Sequence, residues 1–198
     1  MLTYVWLGIG AIAIGALLLV LWERHQQNVL QAPPTARESP LNRGFLTLQL
    51  GDIVQYEGVD WVLEERLTYE EDGDVWFDYL LQDRDTLRWL SVEEGDRVEL
   101  CWMETITDLE VSQQPPAQLN YQGITYRRRE TGIAQMTQLG NRLNLRSETC
   151  HYTDYIGPEH HILSIENWDG DIEITIGQQI RPDSLVLLPG DGRRVYND

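Results

Sequence analysis

Residue types that bind metal ions concentrate in one stretch of the chain. Cys150 and His151 are adjacent, Asp154 follows closely, and His160 and His161 form a second adjacent pair. Thiolates and neutral imidazoles are the usual ligands of zinc. Adjacent residues of a strand point to opposite faces, so each pair supplies at most one ligand to a common ion. The stretch therefore favours polar loop residues, because the typical zinc spacings are absent, with a weak, open metal site as the alternative interpretation.

Clusters of acidic residues are the second candidate for chemistry, at positions 64–65, 70–74 and 169–171. Two carboxyl groups that face each other across a cleft hydrolyse glycosidic bonds, which would make the protein a hydrolase. Asp72-Gly73 is also the typical sequence of a two-residue hairpin turn, because both residues tolerate a positive φ. The closing glutamate of a calcium loop is missing. The clusters favour turns, with an acidic-residue hydrolase as the weaker alternative.

Motifs of the common enzyme classes are missing from the sequence. It contains no Gly-x-Ser-x-Gly, no phosphate-binding loop and no dinucleotide fingerprint. It also contains no lysine, which excludes lysine-based catalysis. We therefore expect a protein that is not an enzyme and that carries no cofactor.

The run Arg127-Arg128-Arg129 stands out in an acidic chain of formal net charge −17. In a regular strand, Arg127 and Arg129 would share a face. The run either docks an anion, a lipid headgroup or an acidic partner, or it forms surface ion pairs that contribute little to stability. The net charge argues against nucleic acid as a partner, because cationic contacts with phosphate supply most of that affinity.

Aromatic residues and cysteines fall mostly in strand-like segments. The tryptophans there either pack in the core or line a ligand groove. The two cysteines, Cys101 and Cys150, do not form a disulfide framework, and one disulfide between them stays open. The tryptophans concerned are Trp61, Trp76, Trp89, Trp102 and Trp168.

Short segments rich in β-branched and aromatic residues begin at residue 46 and alternate with glycine- and aspartate-containing turns. One series occupies residues 46–112. A second occupies residues 117–190, after a break at Gln113-Gln114-Pro115-Pro116. Each series predicts a β-meander, and together they predict one all-β domain.

The second meander looks like a divergent copy of the first. The run from Val54 to Trp61 matches that from Leu119 to Tyr126, and Leu90–Glu93 matches Leu163–Glu166. Similarity of this kind indicates an internal duplication. Because each meander would have one apolar face and open edges, we expect two halves with pseudo-twofold symmetry. They would pack as a β-sandwich or as paired SH3-like barrels.

Residues 1–22 contain no charged side chain. A run of this length is long enough to cross a bilayer core about 30 Å thick. It predicts one transmembrane helix, with Leu2 to Trp22 in the membrane and a weak small-residue pattern for self-association. A cleaved signal peptide and a buried core helix are the alternatives, which its length and flanks disfavour.

The segments around the domain complete the predicted organisation. Residues 23–45 contain Ala32-Pro33-Pro34 and are interpreted as a linker, and residues 191–198 as a tail. Arg24, Arg37 and Arg43 follow the apolar run, which places the domain in the cytoplasm by the positive-inside rule.

The run Leu50–Gly58, followed by Trp61-Val62, Asp78–Leu81 and Trp89–Glu93, resembles the domain of unknown function 4178 family. The resemblance covers roughly residues 46–188. It implies a bacterial protein with a membrane-linked accessory role, and it supplies no catalytic residues.

We therefore expect a single-pass membrane-anchored protein with a non-catalytic, acidic β-domain. That domain would be an interaction or scaffold module for a protein partner at the membrane. The alternative is a membrane-tethered sensor that binds a metal or a small ligand through Cys150, His151, His160 and His161, or through an aromatic groove.

Overall fold

The computed structural model describes residues 43–112, 114–140, 143 and 148–190. These residues form β-strands joined by short turns, with 3-10 turns at Pro158–His160 and Pro182–Ser184. The strands are β1 Ile53–Tyr56, β2 Val59–Glu71, β3 Asp74–Asp83, β4 Thr86–Glu94, β5 Val98–Ile106, β6 Gln118–Tyr121, β7 Ile124–Leu139, β8 Thr149–Ile156, β9 His161–Trp168, β10 Asp171–Ile180 and β11 Leu185–Leu188.

Eight of these strands close into one antiparallel barrel in the order β2-β3-β4-β5-β10-β9-β8-β7. The first seam between the two meanders joins β5 to β10, where Met103 pairs with Gly177. The second seam joins β2 to β7, where Arg66 pairs with Leu139. Strands β1 and β11 extend the sheet beyond β2, and β6 pairs with β7.

The all-β prediction is confirmed, but the two meanders do not form a sandwich or a pair of separate barrels. They are hydrogen-bonded to each other at both edges and share one closed barrel. Open strand edges carry unpaired N–H and C=O groups. Pairing the edges of one meander with those of the other satisfies these groups, which packing of the apolar faces alone would not do.

Two-residue turns that end in glycine join several of the hairpins. Asp72 and Gly73 have φ values of 52° and 98°, as the sequence predicted for the turn between β2 and β3. The turn between β9 and β10 has the same form at Asp169 and Gly170, with φ values of 53° and 101°. Such turns match the right-handed twist of paired strands and fix the register of each hairpin.

Three apolar clusters hold the barrel together. One comes mainly from the first meander, around Leu63, Tyr79 and Leu90, and also includes Leu185 of β11. A second belongs to the second meander and includes Tyr155 and Leu163. The third draws on both meanders, and we call it the shared cluster: Leu67, Tyr69, Leu80, Trp89, Met103, Ala134, Met136, Cys150, Tyr152 and Trp168.

The predicted membrane helix at residues 1–22, the tail at 191–198 and most of the predicted linker lie outside the described residues. Within residues 43–112, 114–140, 143 and 148–190, no helix has the length and apolar character needed to cross a membrane. Arg43, at the end of the predicted linker, belongs to the barrel. Its Nε atom lies 2.8 Å from Oδ2 of the buried Asp52.

Candidate functional site

A cavity of about 570 Å³ lies against side chains from β2, β3, β4, β5, β7, β8, β9 and β10. We call it the acidic cavity. Small-molecule sites in proteins typically have volumes of about 300–1,000 Å³, so the acidic cavity is large enough for a small ligand. Its position inside the ring means that both meanders contribute to its wall.

Strand alternation explains which residues face the acidic cavity. On β3, Trp76 and Asp78 line it, whereas Phe77 and Tyr79 pack in the cluster of the first meander. Alternate residues of a strand point to opposite faces of the sheet. Polar and charged residues between large apolar ones on these strands therefore come together inside the barrel.

The lining of the acidic cavity is strongly negative. Its described lining residues include ten acidic side chains and one basic side chain, Arg129. The Nη2 atom of Arg129 lies 3.3 Å from Oε2 of Glu93, so this guanidinium is paired near the cavity wall. The acidic residues are Glu71, Asp72, Asp74, Asp78, Glu93, Glu94, Glu130, Asp154, Glu166 and Glu173.

Enclosure disfavours the charged form of the innermost carboxyl groups. Burial raises the pKa of Asp78 to about 7, with contributions from the nearby charges of Asp154 and Glu173, although a hydrogen bond from Ser91 lowers it. Burial also raises the pKa of Glu166 well above its ordinary value, and the charge of Asp78 adds to this effect. The pKa of Asp154 is raised by burial as well. The cavity therefore holds like charges together in a poorly solvated space.

Hydroxyl groups fix the orientation of two of these carboxyl groups. The Ser164 hydroxyl donates a hydrogen bond of 2.6 Å to Oδ1 of Asp154. The Tyr69 hydroxyl donates one of 3.2 Å to Oε2 of Glu166. In contrast, Oδ1 of Asp78 is buried and has no hydrogen-bond partner among the described residues. A buried acceptor of this kind is free to bind a donor from a ligand.

Aromatic rings form another part of the cavity wall. The rings of Trp76 and Tyr152 are 5.4 Å apart in an edge-on arrangement, and Trp76 also stacks on Tyr69 at 5.2 Å. Trp76 and Trp89 line the cavity, and Trp89 also belongs to the shared cluster, with Trp76 packed against it. Trp61 and Trp102 instead contact each other at 5.4 Å against the first meander's cluster, and Trp168 lies in the shared cluster.

The structure does not bring the four predicted metal ligands together. Cys150 is buried in the shared cluster near one end of β8, and the adjacent His151 is exposed. His160 and His161 lie beyond the other end of β8, where Nδ1 of His161 is 2.7 Å from the carbonyl oxygen of Pro158. Among the described residues, no group of three His, Cys, Asp or Glu side chains is placed to hold a metal ion. Cys101 and Cys150 are both free thiols.

A β-bulge separates the three arginines of the predicted interaction run. The pairing of β7 with β8 shifts register between Arg128 and Glu130, which leaves Arg129 as the extra residue. Arg129 lines the acidic cavity, whereas Arg128 lies on an outer groove and donates a hydrogen bond of 3.4 Å to the carbonyl oxygen of Pro115. Arg127 is exposed. A bulge breaks the regular alternation of a strand, so the run does not present one basic face.

Sequence reasoning missed Asp78, Glu166 and Glu173 as candidate site residues. A signal for Asp78 was present, because aspartate is depleted in strand interiors and here it stands between Phe77 and Tyr79. The matching segments Leu90–Glu93 and Leu163–Glu166 carried a second signal, since each places a serine and a glutamate on the same face of a strand.

Comparison with known proteins agrees with the resemblance found in the sequence. A family model described as a domain of unknown function (DUF4178) matches residues 49–182. The uncharacterized protein Mb2628 of Mycobacterium bovis is 33% identical over 172 residues, which cover 80% of this chain and 82% of that protein. The uncharacterized protein Rv2597 of Mycobacterium tuberculosis matches to the same extent. No solved structure is significantly similar. The chain belongs to the DUF4178 family.

Proposed function

We propose that the barrel is a binding module for a small organic cation, which it holds in the acidic cavity. The observation that carries this proposal is the excess of ten acidic side chains over one arginine among the described residues that line a 570 Å³ space. Arg129 is the one basic side chain among the described lining residues, so the carboxyl groups greatly outnumber the opposite charge, and a bound cation would supply more of it.

The energetics of the cavity support a binding role. Enclosed like charges cost folding free energy unless they are paired or protonated. The raised pKa values of Asp78, Asp154 and Glu166 are the signature of that cost. Perturbed titratable groups that converge on one cavity are typical of functional sites. A bound cation would relieve the repulsion between the carboxyl groups. The free energy gained in this way would contribute to binding.

The geometry favours an organic cation over a metal ion. Metal ions need several oxygen or nitrogen ligands within about 2.0–2.6 Å of one point. In the part of the chain that the structure describes, no three acidic, histidine or cysteine side chains converge in this way. The rings of Trp76, Trp89 and Tyr152 in the wall suit ammonium groups and their alkyl substituents.

The test is a binding screen on the purified full-length chain. Tetramethylammonium, butylammonium, 1,4-diaminobutane, calcium and acetate would be compared by thermal unfolding and isothermal titration calorimetry. We expect one or more of the organic cations to raise the melting temperature and acetate to leave it unchanged.

Two variants make the screen specific for the cavity. Asp78→Asn removes a charge inside it, and Asp169→Asn removes one at an exposed turn outside it. We expect the first to weaken cation binding and the second to preserve it. Equal binding by both variants, or no effect of any organic cation, would contradict the proposal.

The scaffold and hydrolase functions expected from the sequence stay predictions. The membrane anchor and its cytoplasmic orientation depend on residues 1–42, which lie outside the described part of the chain. A hydrolase would need a scissile substrate between two of the cavity's carboxyl groups. Cation binding needs only the charge, volume and aromatic surface that the cavity has.

A further inference from the structure

The two meanders place equivalent residues at equivalent positions in the wall of the acidic cavity. In the first meander, Asp78 on β3 pairs with Ser91 on β4. In the second, Asp154 on β8 pairs with Ser164 on β9. All four residues line the cavity. We call them the two aspartate–serine pairs.

The next layer of the wall repeats the same relationship. Trp76 pairs with Glu93 in the first meander, and Tyr152 pairs with Glu166 in the second. These four residues also line the cavity, and the two rings contact each other at 5.4 Å. The cavity therefore has two similar halves, each with a carboxyl group, a hydroxyl group and an aromatic ring.

Both aspartates are held by the same kind of contact. Ser164 donates a hydrogen bond of 2.6 Å to Asp154, and Ser91 donates one to Asp78. These serines leave further acceptor capacity on each carboxylate, because a carboxylate accepts about four hydrogen bonds. For Asp78 this capacity is visible as the buried Oδ1 atom, which lacks a partner among the described residues. An ammonium group has three N–H donors for such acceptors.

We propose that the ligand is a linear diammonium compound, with one ammonium group at each aspartate–serine pair. This inference rests on the proposed function. Its alkyl chain would lie along the rings of Trp76 and Tyr152, which offer an apolar surface between the two meanders. A metal ion does not fit the two pairs, because no three His, Cys, Asp or Glu side chains of the described residues are placed to hold one. Two monoammonium ions could occupy both pairs, but linking the two cations makes the second contact intramolecular and strengthens binding.

Calorimetric titration of the full-length chain with 1,4-diaminobutane and with butylammonium tests the proposal. The two compounds share an alkyl chain and differ in the second charge. We expect the diamine to bind about a hundredfold more tightly than butylammonium. Its second ammonium group adds binding free energy without the entropy cost of bringing in a second molecule. Diamines with shorter and longer alkyl chains would locate the spacing that fits.

The variants Asp78→Asn and Asp154→Asn separate the two contacts. Each should reduce diamine affinity to nearly that of butylammonium, since each leaves one aspartate–serine pair. Each should weaken butylammonium binding much less than diamine binding, because the remaining pair can still hold a single ammonium group. Asp169→Asn, at an exposed turn, is the charge-matched control and should bind both compounds like the parent chain.

The outcomes distinguish this inference from the proposed function. Equal affinity for the diamine and for butylammonium would overturn the two-point arrangement and leave cation binding intact. Absence of binding by every organic cation would overturn both. If an aspartate variant does not fold by circular dichroism, Ser91→Ala and Ser164→Ala replace it. We then expect both serine variants to weaken diamine binding, and loss in only one of them would contradict the symmetric arrangement.

Discussion

The inner face of the barrel has two regions built by the same strands. In the shared cluster, Leu80, Met136 and Cys150 are almost completely buried among apolar neighbours. In the acidic cavity, Asp78 and Glu166 face open space beside other carboxyl groups. Leu80 and Asp78 are two residues apart on β3, so their side chains are on the same face of the strand.

This difference separates stability from recognition within one barrel. Apolar burial contributes about 25 cal/mol per Å² removed from water, so the shared cluster stabilises the ring. The carboxyl groups of the cavity oppose folding, since enclosure and mutual repulsion disfavour their charged forms. Substitutions in the two regions should therefore have opposite signs.

The largest expected effect is that of Leu80→Ala in the shared cluster. Removing a fully buried leucine side chain loses its burial and leaves a cavity, which costs about 2–5 kcal/mol of unfolding free energy. Urea denaturation followed by tryptophan fluorescence measures the change. Leu87→Ala, on the neighbouring strand β4 and 37% exposed, is the matched control and should change stability by about 0.5 kcal/mol or less. A loss as small as the control's would show that the shared cluster is not the stabilising region.

The substitution Asp78→Asn should act in the opposite direction. It removes a charge that burial and the nearby Asp154 and Glu173 disfavour. At pH 8 we expect the unfolding free energy to rise by about 2 kcal/mol, because one disfavoured ionisation is eliminated. Asp169→Asn, in an exposed turn, should leave it nearly unchanged. Destabilisation at pH 8 would mean that the Asp78 charge is compensated within the folded chain.

The pH dependence of stability gives a smaller effect with a definite sign. The pKa of Asp78 is about 7 in the folded chain against an ordinary value of 3.8, so the folded state holds this proton more tightly. Its contribution to stability is complete below about pH 4 and is lost as the pH rises through about 7. Raised pKa values at Asp154 and Glu166 act in the same direction.

Urea denaturation between pH 5 and pH 8 would measure this slope, in about 0.5 M salt to screen exposed charges. We expect stability to fall with rising pH in the parent chain, and to fall less steeply in Asp78→Asn. The same slope in both proteins would show that Asp78 does not titrate in this range.

The smallest expected effect compares the two thiols. Cys101 lines the acidic cavity and is partly buried, whereas Cys150 is fully buried in the shared cluster. Burial raises the pKa of Cys101 to about 12, so it reacts slowly, and burial raises that of Cys150 further. A cationic methanethiosulfonate should modify Cys101 faster than an anionic one, because the cavity attracts cations.

Mass spectrometry of the labelled protein would follow both sites, with Cys101→Ser and Cys150→Ser to assign the signals. Neither reagent should label Cys150 in the folded chain. Equal rates for the two reagents at Cys101 would contradict a negative potential in the cavity.

Local sequence features predicted much of the fold. The Asp-Gly turns and the alternation of apolar and polar residues determine hairpins over a few residues, and these were predicted correctly around Asp72-Gly73. The closed barrel was not predicted, because its second seam joins Arg66 to Leu139 across more than half of the domain. No short sequence pattern indicates a pairing between strands so far apart in the chain.

The candidate site was missed for the same reason. Asp78 and Asp154 are far apart in the sequence and come together only when both seams close. The predicted metal ligands were chosen by nearness along the chain, yet β8 separates Cys150 from His160 and His161 by almost its whole length. Nearness in sequence thus identified residues that the fold keeps apart.

The two seams of the barrel have a consequence for its ancestry. In each seam, an edge of one meander pairs antiparallel with an edge of the other, at β5–β10 and at β2–β7. Antiparallel pairing of like edges is the arrangement that a twofold axis generates. A single meander could therefore close the same ring as a homodimer with a second copy of itself. Gene fusion would then have freed the two halves of the cavity to diverge, as Cys101 in the first meander and Thr175 at the equivalent position in the second have done.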